Sequence, residues 1–428
     1  MHHAPPSESL PERGSPGVSR LAWLIVALLV PVALLNYLDR QMLAAMKPSI
    51  MADIPDIATR ANWGIVLGSF KWVYAILSPL GGYVADRTSR RLVIVASLFV
   101  WSAVTWVTGY VESFEAFVAA RAIMGISEAF YIPAALALIT DFHTGSTRSR
   151  AVGIHQTGIY AGVILGGFSG YVADDPAIGW RLAFAVCGIA GIVYAVPLFF
   201  LLRDPPRGPA TGDEPTFGAA VGELLRNRQF LLLVAVFTLP AIAGWVVKDW
   251  MPDILREKFG LGQGQAGVSA VLFVQLASLV GVVAGGWLAD RLMQSTDRGR
   301  IYTSALGMSF FLPALVGVGL ASTLGFAFAC LVLFGLGWGF FDCNNMPILC
   351  QITRPSLRAT GYGIMNLAST CCGGFADWGF GVLRDANVSL FAIFGGFALL
   401  AILSVAMVLA IRPCPCERGA IQPPTSRR

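Results

Sequence analysis

Nine ionisable residues stand inside stretches that are otherwise apolar: Asp39, Arg40, Lys71, Arg121, Glu128, Lys248, Asp249, Asp342 and Asp377. A charge in such surroundings is costly unless it is paired or faces a wet cavity, so each marks a candidate site. None belongs to a pattern for covalent catalysis. P-loop, HExxH and GxSxG motifs are absent, and the eight cysteines supply no zinc-ligand spacing. The sequence therefore calls for no enzyme, no cofactor and no metal. Its charges read as groups that hold an anion or a proton.

Arg121 and Glu128 are seven residues apart, two helical turns, which places them on one face about 10 Å from each other. Asp39 is expected to meet Arg121 at similar depth, with Glu128 one layer below. One reading is a static lock between helices. The other is a switchable network in which Glu128, desolvated near midspan, takes a proton and releases a basic partner. Asp39 and Asp342 are the further proton-site candidates. Arg40, Arg121, Lys71 and Lys248, with Tyr37, Tyr131 and Asn344, are the candidate substrate contacts, and Tyr74, Tyr160, Trp245 and Trp338 lie at the same levels. Lys71 is expected to face a cavity, and Lys248 either to face it too or to lie nearer the outer surface, paired with Asp249. Four buried basic residues favour an anion, or a zwitterion with an acidic head.

The elements that position these groups must be membrane helices. Charged residues make up 13% of the 428, against about 25% in soluble domains, and mean hydropathy is +0.67. Several apolar stretches exceed the roughly 18 residues needed to cross a bilayer. The chain reads as an all-α membrane protein of about twelve transmembrane helices in two parallel six-helix halves, with the fourth span over 114–140 and the seventh over 229–252. Residues 1–20 form a disordered tail, 21–203 the first bundle, 204–228 a linker with room for a short interfacial helix, 229–411 the second bundle, and 412–428 a second tail. The net charge of +5 is unevenly spread. Most Lys and Arg fall in the tails and in the loops of one side, with Lys47, Arg60, Arg181, Arg256, Lys258 and Arg384 on the other. That bias orients the spans, with both termini cytoplasmic, and gives no reason to expect nucleic acid. The expected setting is a plasma membrane of the bacterial inner-membrane type. The expected partners are lipid, protons and a small anionic or amphipathic molecule, with the chain acting as a monomer.

An internal repeat divides the chain in two. Gly81-Gly-Tyr-Val-Ala-Asp-Arg87 is matched by Gly285-Gly-Trp-Leu-Ala-Asp-Arg291, each at the end of the second span of its half. Setting Pro133 against Pro347 brings Glu128 opposite Asp342, and Arg150-Ala-Val-Gly then matches Arg358-Ala-Thr-Gly. Parallel six-helix repeats are a transporter architecture. The Gly-Gly-x-x-Ala-Asp-Arg loops resemble the signature of the major facilitator superfamily over residues 21–411. Asn36-Tyr-Leu-Asp-Arg40 is similar to two groups within it. These are the anion:cation symporters, which carry sugar acids and carboxylates, and the Spinster-like proteins, which carry lysolipids and sphingoid lipids. GYVADRTSRR, RAIMGISEAFY from Arg121 and RDPPRG from Arg203 lean to Spinster, and Lys248-Asp-Trp-Met-Pro252 to the symporters.

The resemblance implies secondary active transport by alternating access. Proton-coupled movement of a small organic anion is the first expectation, a sugar acid or carboxylate. A Spinster-like movement of lysolipid or sphingoid lipid is the alternative, and a channel a more distant one. It also implies gating clamps at the signature loops. Asp86, followed by Arg87, would pair with Arg150, and Asp290 with Arg358.

Overall fold

The computed structural model describes residues 20–143, 147–204, 216–354 and 357–412. The first half comprises α1 (Arg20–Ala45), the short α2 (Lys47–Asp53), α3 (Arg60–Arg87), α4 (Arg90–Thr108), α5 (Phe114–Glu128), α6 (Tyr131–Phe142), α7 (Arg148–Asp174) and α8 (Gly179–Leu201). After α9 (Phe217–Arg226), the second half comprises α10 (Arg228–Phe259), α11 (Gln263–Met293), α12 (Gly299–Leu320), α13 (Leu324–Ile352), α14 (Arg358–Asp385) and α15 (Leu390–Ala410). With α5 and α6 forming one crossing, the described residues make twelve crossings. Ten are apolar enough to be membrane spans on composition alone. α7 and α14 fall short, although they are 27 and 28 residues long. They carry Gln156 and Tyr160, and Asn366, Ser369 and Thr370, which face an internal cavity rather than lipid.

Capping residues fix where many helices start. Thr59, Ser89, Ser113, Asn227, Thr323 and Ser389 each accept a backbone N–H from the first turn that follows. Two boundaries differ from the sequence reading. The span expected over 114–140 is broken between Glu128 and Tyr131, because Pro133 has no N–H for the carbonyl of Ala129. The seventh span was expected to stop at Pro252, yet α10 runs through it to Phe259, where Gly260 caps the helix with φ +67°. The extra turns are held by ion pairs of Asp253 and Glu257 with the other half.

The repeat is visible in the packing. α1 lies on α7, α3 on α5 and α4 on α8, and one repeat later α10 lies on α14, α11 on α13 and α12 on α15. Between halves, α3 packs on α14 and α7 on α11, a reciprocal exchange of second and fifth crossings. Small residues allow these contacts. A Cβ on Gly64 would lie 2.6 Å from the Asp377 carbonyl, and one on Gly267 would lie 2.4 Å from that of Gly167. The first glycine of each signature has a comparable duty within its half. A Cβ on Gly81 would meet the Ala129 carbonyl at 2.4 Å, beside the α5–α6 break, and one on Gly285 would meet Phe340 at 2.9 Å. Gly286 has open space instead.

Candidate functional site

α1, α3, α7, α10, α11, α13 and α14 surround a cavity of about 300 Å³ between the halves. Its first-half wall includes Tyr37, Arg40, Tyr74, Gln156 and Tyr160. Its second-half wall includes Trp245, Lys248, Gln275, Trp338, Phe341 and Asp342. The second-half wall is the more aromatic, with Phe311, Phe334, Trp338 and Phe341 in mutual ring contact behind and along it. A molecule seated here meets one cation from each half and a broad apolar face.

Arg40 carries the link between cavity and buried acid. Its guanidinium touches the Glu128 carboxylate at 2.5 Å and is surrounded by the rings of Tyr37, Phe70 and Tyr74 at 4.9, 4.6 and 5.1 Å. Glu128 is fully buried, and its second oxygen has no partner among the described residues. The expected pair of Asp39 with Arg121 is not what forms. Asp39 accepts a hydrogen bond from Thr105 at 3.1 Å, while Arg121 lies over Phe70 at 4.6 Å and donates to Met124 Sδ. Consecutive helical residues point about 100° apart, so the rotation of α1 turns Arg40 toward α5 and Asp39 toward α4.

Of the two lysines, Lys71 departs from the expected cavity position, while Lys248 takes the cavity-facing one of its two alternatives. Lys71 is buried and donates to both Asp249 and Asp377. It does not line the cavity, because α14 packs directly over its face of α3. Lys248 does line it, with its ammonium 5.3 Å from the Tyr37 ring centroid and 5.2 Å from that of Trp245. No carboxylate pairs with it among the described residues, since its neighbour Asp249 is taken by Lys71. Asp342 is exposed within the cavity. Tyr131 and Asn344 lie outside it. The Tyr131 hydroxyl bonds His155 Nε2 at 2.9 Å and the Leu29 carbonyl at 3.3 Å, and Asn344 donates back to the Phe340 carbonyl. Both are packing residues of their helices in this conformation.

The end of the bundle where α1 gives way to α2 and α10 reaches Phe259 is opposite the end where α1 begins at Arg20 and α15 finishes at Ala410, and is the remote end of the bundle. Cross-half bonds between described residues gather there. Lys47, placed by sequence in a loop, is buried and paired with Asp253 while its ammonium sits 4.5 Å from the Trp250 ring. Arg60 pairs with Glu257, the backbone N–H groups of Arg60 and Ala61 donate to Asp385, and Gln263 joins Ser49 to Asp174. Asp249, Asp253 and Glu257 recur every four residues on α10, so one face of that helix meets Lys71, Lys47 and Arg60 in turn. That spacing was the available sequence signal for this seam.

At the opposite end, Arg150 lies 5.6 Å from the Trp23 ring, Arg358 donates to the Cys350 carbonyl at 3.1 Å, and Arg87 and Asp290 are exposed. The side chain of Asp86 lies outside the described residues.

The Major Facilitator Superfamily profile matches residues 29–376. The chain is 29% identical to Protein spinster of Drosophila melanogaster over 392 residues, 87% of this chain, and spans 64% of that relative's length. It is 29% identical to an MFS-type efflux pump of Mycolicibacterium smegmatis, covering 86% of this chain and 85% of the pump. Its fold superposes with a TM-score of 0.76 on the inward-facing, occupied crystal structure of a bacterial homologue of the human lysosomal transporter Spinster. That likeness holds at 20% identity and covers 93% and 97% of the two chains. A duplicated twelve-crossing bundle, a cavity between its halves and a family match over most of its length make the chain a multi-pass membrane transporter rather than an enzyme, and it belongs to the Major Facilitator Superfamily.

Proposed function

We propose that the protein couples the movement of an amphipathic organic anion to that of a proton, by alternating access, in a plasma membrane of the bacterial inner-membrane type with both termini cytoplasmic. The observation that carries this reading is Lys248, a cation in the cavity wall with aromatic rings for neighbours and no carboxylate partner among the described residues. Ring faces replace a counter-ion only in part, so a carboxylate or phosphate headgroup is the complement the site lacks. The aromatic wall behind it suits the apolar part of the same molecule. A lysolipid-like anion fits both features, in keeping with the Spinster resemblance.

Arg40 supplies the coupling. An anion entering from the cavity competes with Glu128 for the Arg40 guanidinium. A fully buried carboxylate that loses its cation is costly, and taking a proton removes the cost. Anion and proton therefore favour each other's binding, which is symport. Asp39 and Asp342 are the alternative proton sites, and the arginine–carboxylate clamps at the signature loops would close the cytoplasmic side when the cavity faces out.

A sugar acid or other hydrophilic carboxylate is the second reading. Gln156, Gln275 and Asn366 on the cavity wall favour it, because they can bond hydroxyl groups. A thermal-shift screen of the purified protein separates the two, since a bound ligand raises the melting temperature by mass action. Single-chain lipid phosphates are expected to stabilise it while sugar acids of equal concentration do not. Stabilisation by sugar acids alone would overturn the amphipathic reading.

A further inference from the structure

Beside the Lys47–Asp253 and Arg60–Glu257 pairs of the seam, the same face of α10 holds one further group of buried charges. Lys71 of α3 donates to Oδ2 of Asp249 on α10 and to Oδ2 of Asp377 on α14, so one ammonium serves two carboxylates. All three side chains are buried, Asp377 completely. Its other oxygen, Oδ1, is buried without a hydrogen bond of full geometry among the described residues, and the Trp250 indole nitrogen adjoins the carboxylate. The Trp245 ring closes over the ammonium at 4.2 Å. Around the group stand Lys248 on α10, Arg40 on α1 and Arg121 on α5, each turned to other neighbours.

The ammonium comes from the first half, and both carboxylates belong to the second. α3 and α14 must separate if the remote end is to open, because they pack across the two halves with the Gly64 backbone against Asp377. Opening then withdraws Lys71 and leaves two carboxylates side by side. Neighbouring carboxylates do not both stay ionised when a proton can be shared between them.

We propose that Asp249 and Asp377 form a proton-binding site that exchanges its proton for the Lys71 ammonium as the remote end opens and shuts. The proton enters from water on the remote side while the seam is open, and returning Lys71 displaces it. Because the proton binds the open form, acid favours opening. Lys248 precedes Asp249 in the chain, so an anion held at Lys248 removes a nearby positive charge and strengthens the hold on that proton. The inference rests on the alternating access proposed above, but it locates a second proton site distinct from Glu128.

Its test needs no substrate. Spin labels at Asp56 and Arg256, on opposite sides of the seam, report its opening by pulsed distance measurement in the full-length protein in lipid discs. Between pH 8 and pH 5 the longer-distance population should grow. Asp377→Asn should raise that population at pH 8 by about tenfold or more and remove most of the pH response, as expected of a coupling of this kind. Asp249→Asn should act in the same direction and serves if the first variant does not fold. No transport is measured here, so a seam that fails to respond overturns this site alone, and the Glu128 reading is judged separately by proton-driven accumulation. A wild-type distance distribution unchanged with pH would overturn the proposal, as would a pH response that survives both Asp variants.

Discussion

Arg40 touches Glu128 at 2.5 Å from one side while its other side forms part of the cavity wall. One guanidinium thus stands between the cavity and a carboxylate with no exposure of its own. The Glu128 carboxylate ends α5, and Pro133 prevents the helix from continuing unbroken past it. Any anion that draws Arg40 toward the cavity acts directly on the acid behind it.

Lys248 is the cation expected to discriminate charge. Lys248→Gln should weaken an anionic ligand at least about tenfold, or 1.4 kcal/mol, since a charge-assisted hydrogen bond contributes roughly 1.5–3 kcal/mol. The affinity of a neutral analogue should hardly change. Arg121→Gln is the contrast, because Arg121 is buried against Phe70 away from the cavity. It should lower stability and leave the preference for charged ligands as it was. Titration calorimetry of the three proteins checks both statements.

The sequence exposed the charges and the repeat but not the pairing. Asp39 and Arg40 are adjacent, and periodicity alone does not say which of them faces α5. Lys71 is misplaced, and Lys248 left between two positions, for a related reason, since their surroundings depend on how the halves meet, at α3 on α14 and along α10. The repeat was legible because both halves spend the same glycine positions on close crossings, as Gly81 and Gly285 show. The seam at Asp253 and Glu257 was hidden by Pro252, which marked a helix end that three-dimensional packing overrides.

Gly81 gives a direct check on the signature. Gly81→Ala places a Cβ 2.4 Å from the Ala129 carbonyl and should cost about 1–3 kcal/mol of stability. Gly286→Ala, in open space, should be near neutral. Thermal unfolding in detergent compares them.

Lys47 and Asp253 are both buried, so removing one leaves an uncompensated charge. Lys47→Met should destabilise the protein by about 3–5 kcal/mol, and adding Asp253→Leu should recover most of the loss. A melting curve for the double variant no better than that of the single would show that this pair is not what holds the seam.

Cysteine labelling in sealed cells tests the orientation. Positions near Asp56, Asp175 and Leu261 should react with an impermeant reagent from outside, and those near Ser89 and Asp297 should not. Reaction at Ser89 would reverse the assignment of the sides.

The coupling through Glu128 is tested most directly in proteoliposomes. With the ligand that stabilises the protein best, an inward proton gradient should drive accumulation above equilibrium in the wild type. Glu128→Gln should abolish that accumulation while substrate counterflow, which needs no net proton movement, remains measurable. Accumulation by Glu128→Gln at the wild-type level in the same gradient would contradict the account and move the coupling to Asp39, Asp342 or the Asp249–Asp377 pair.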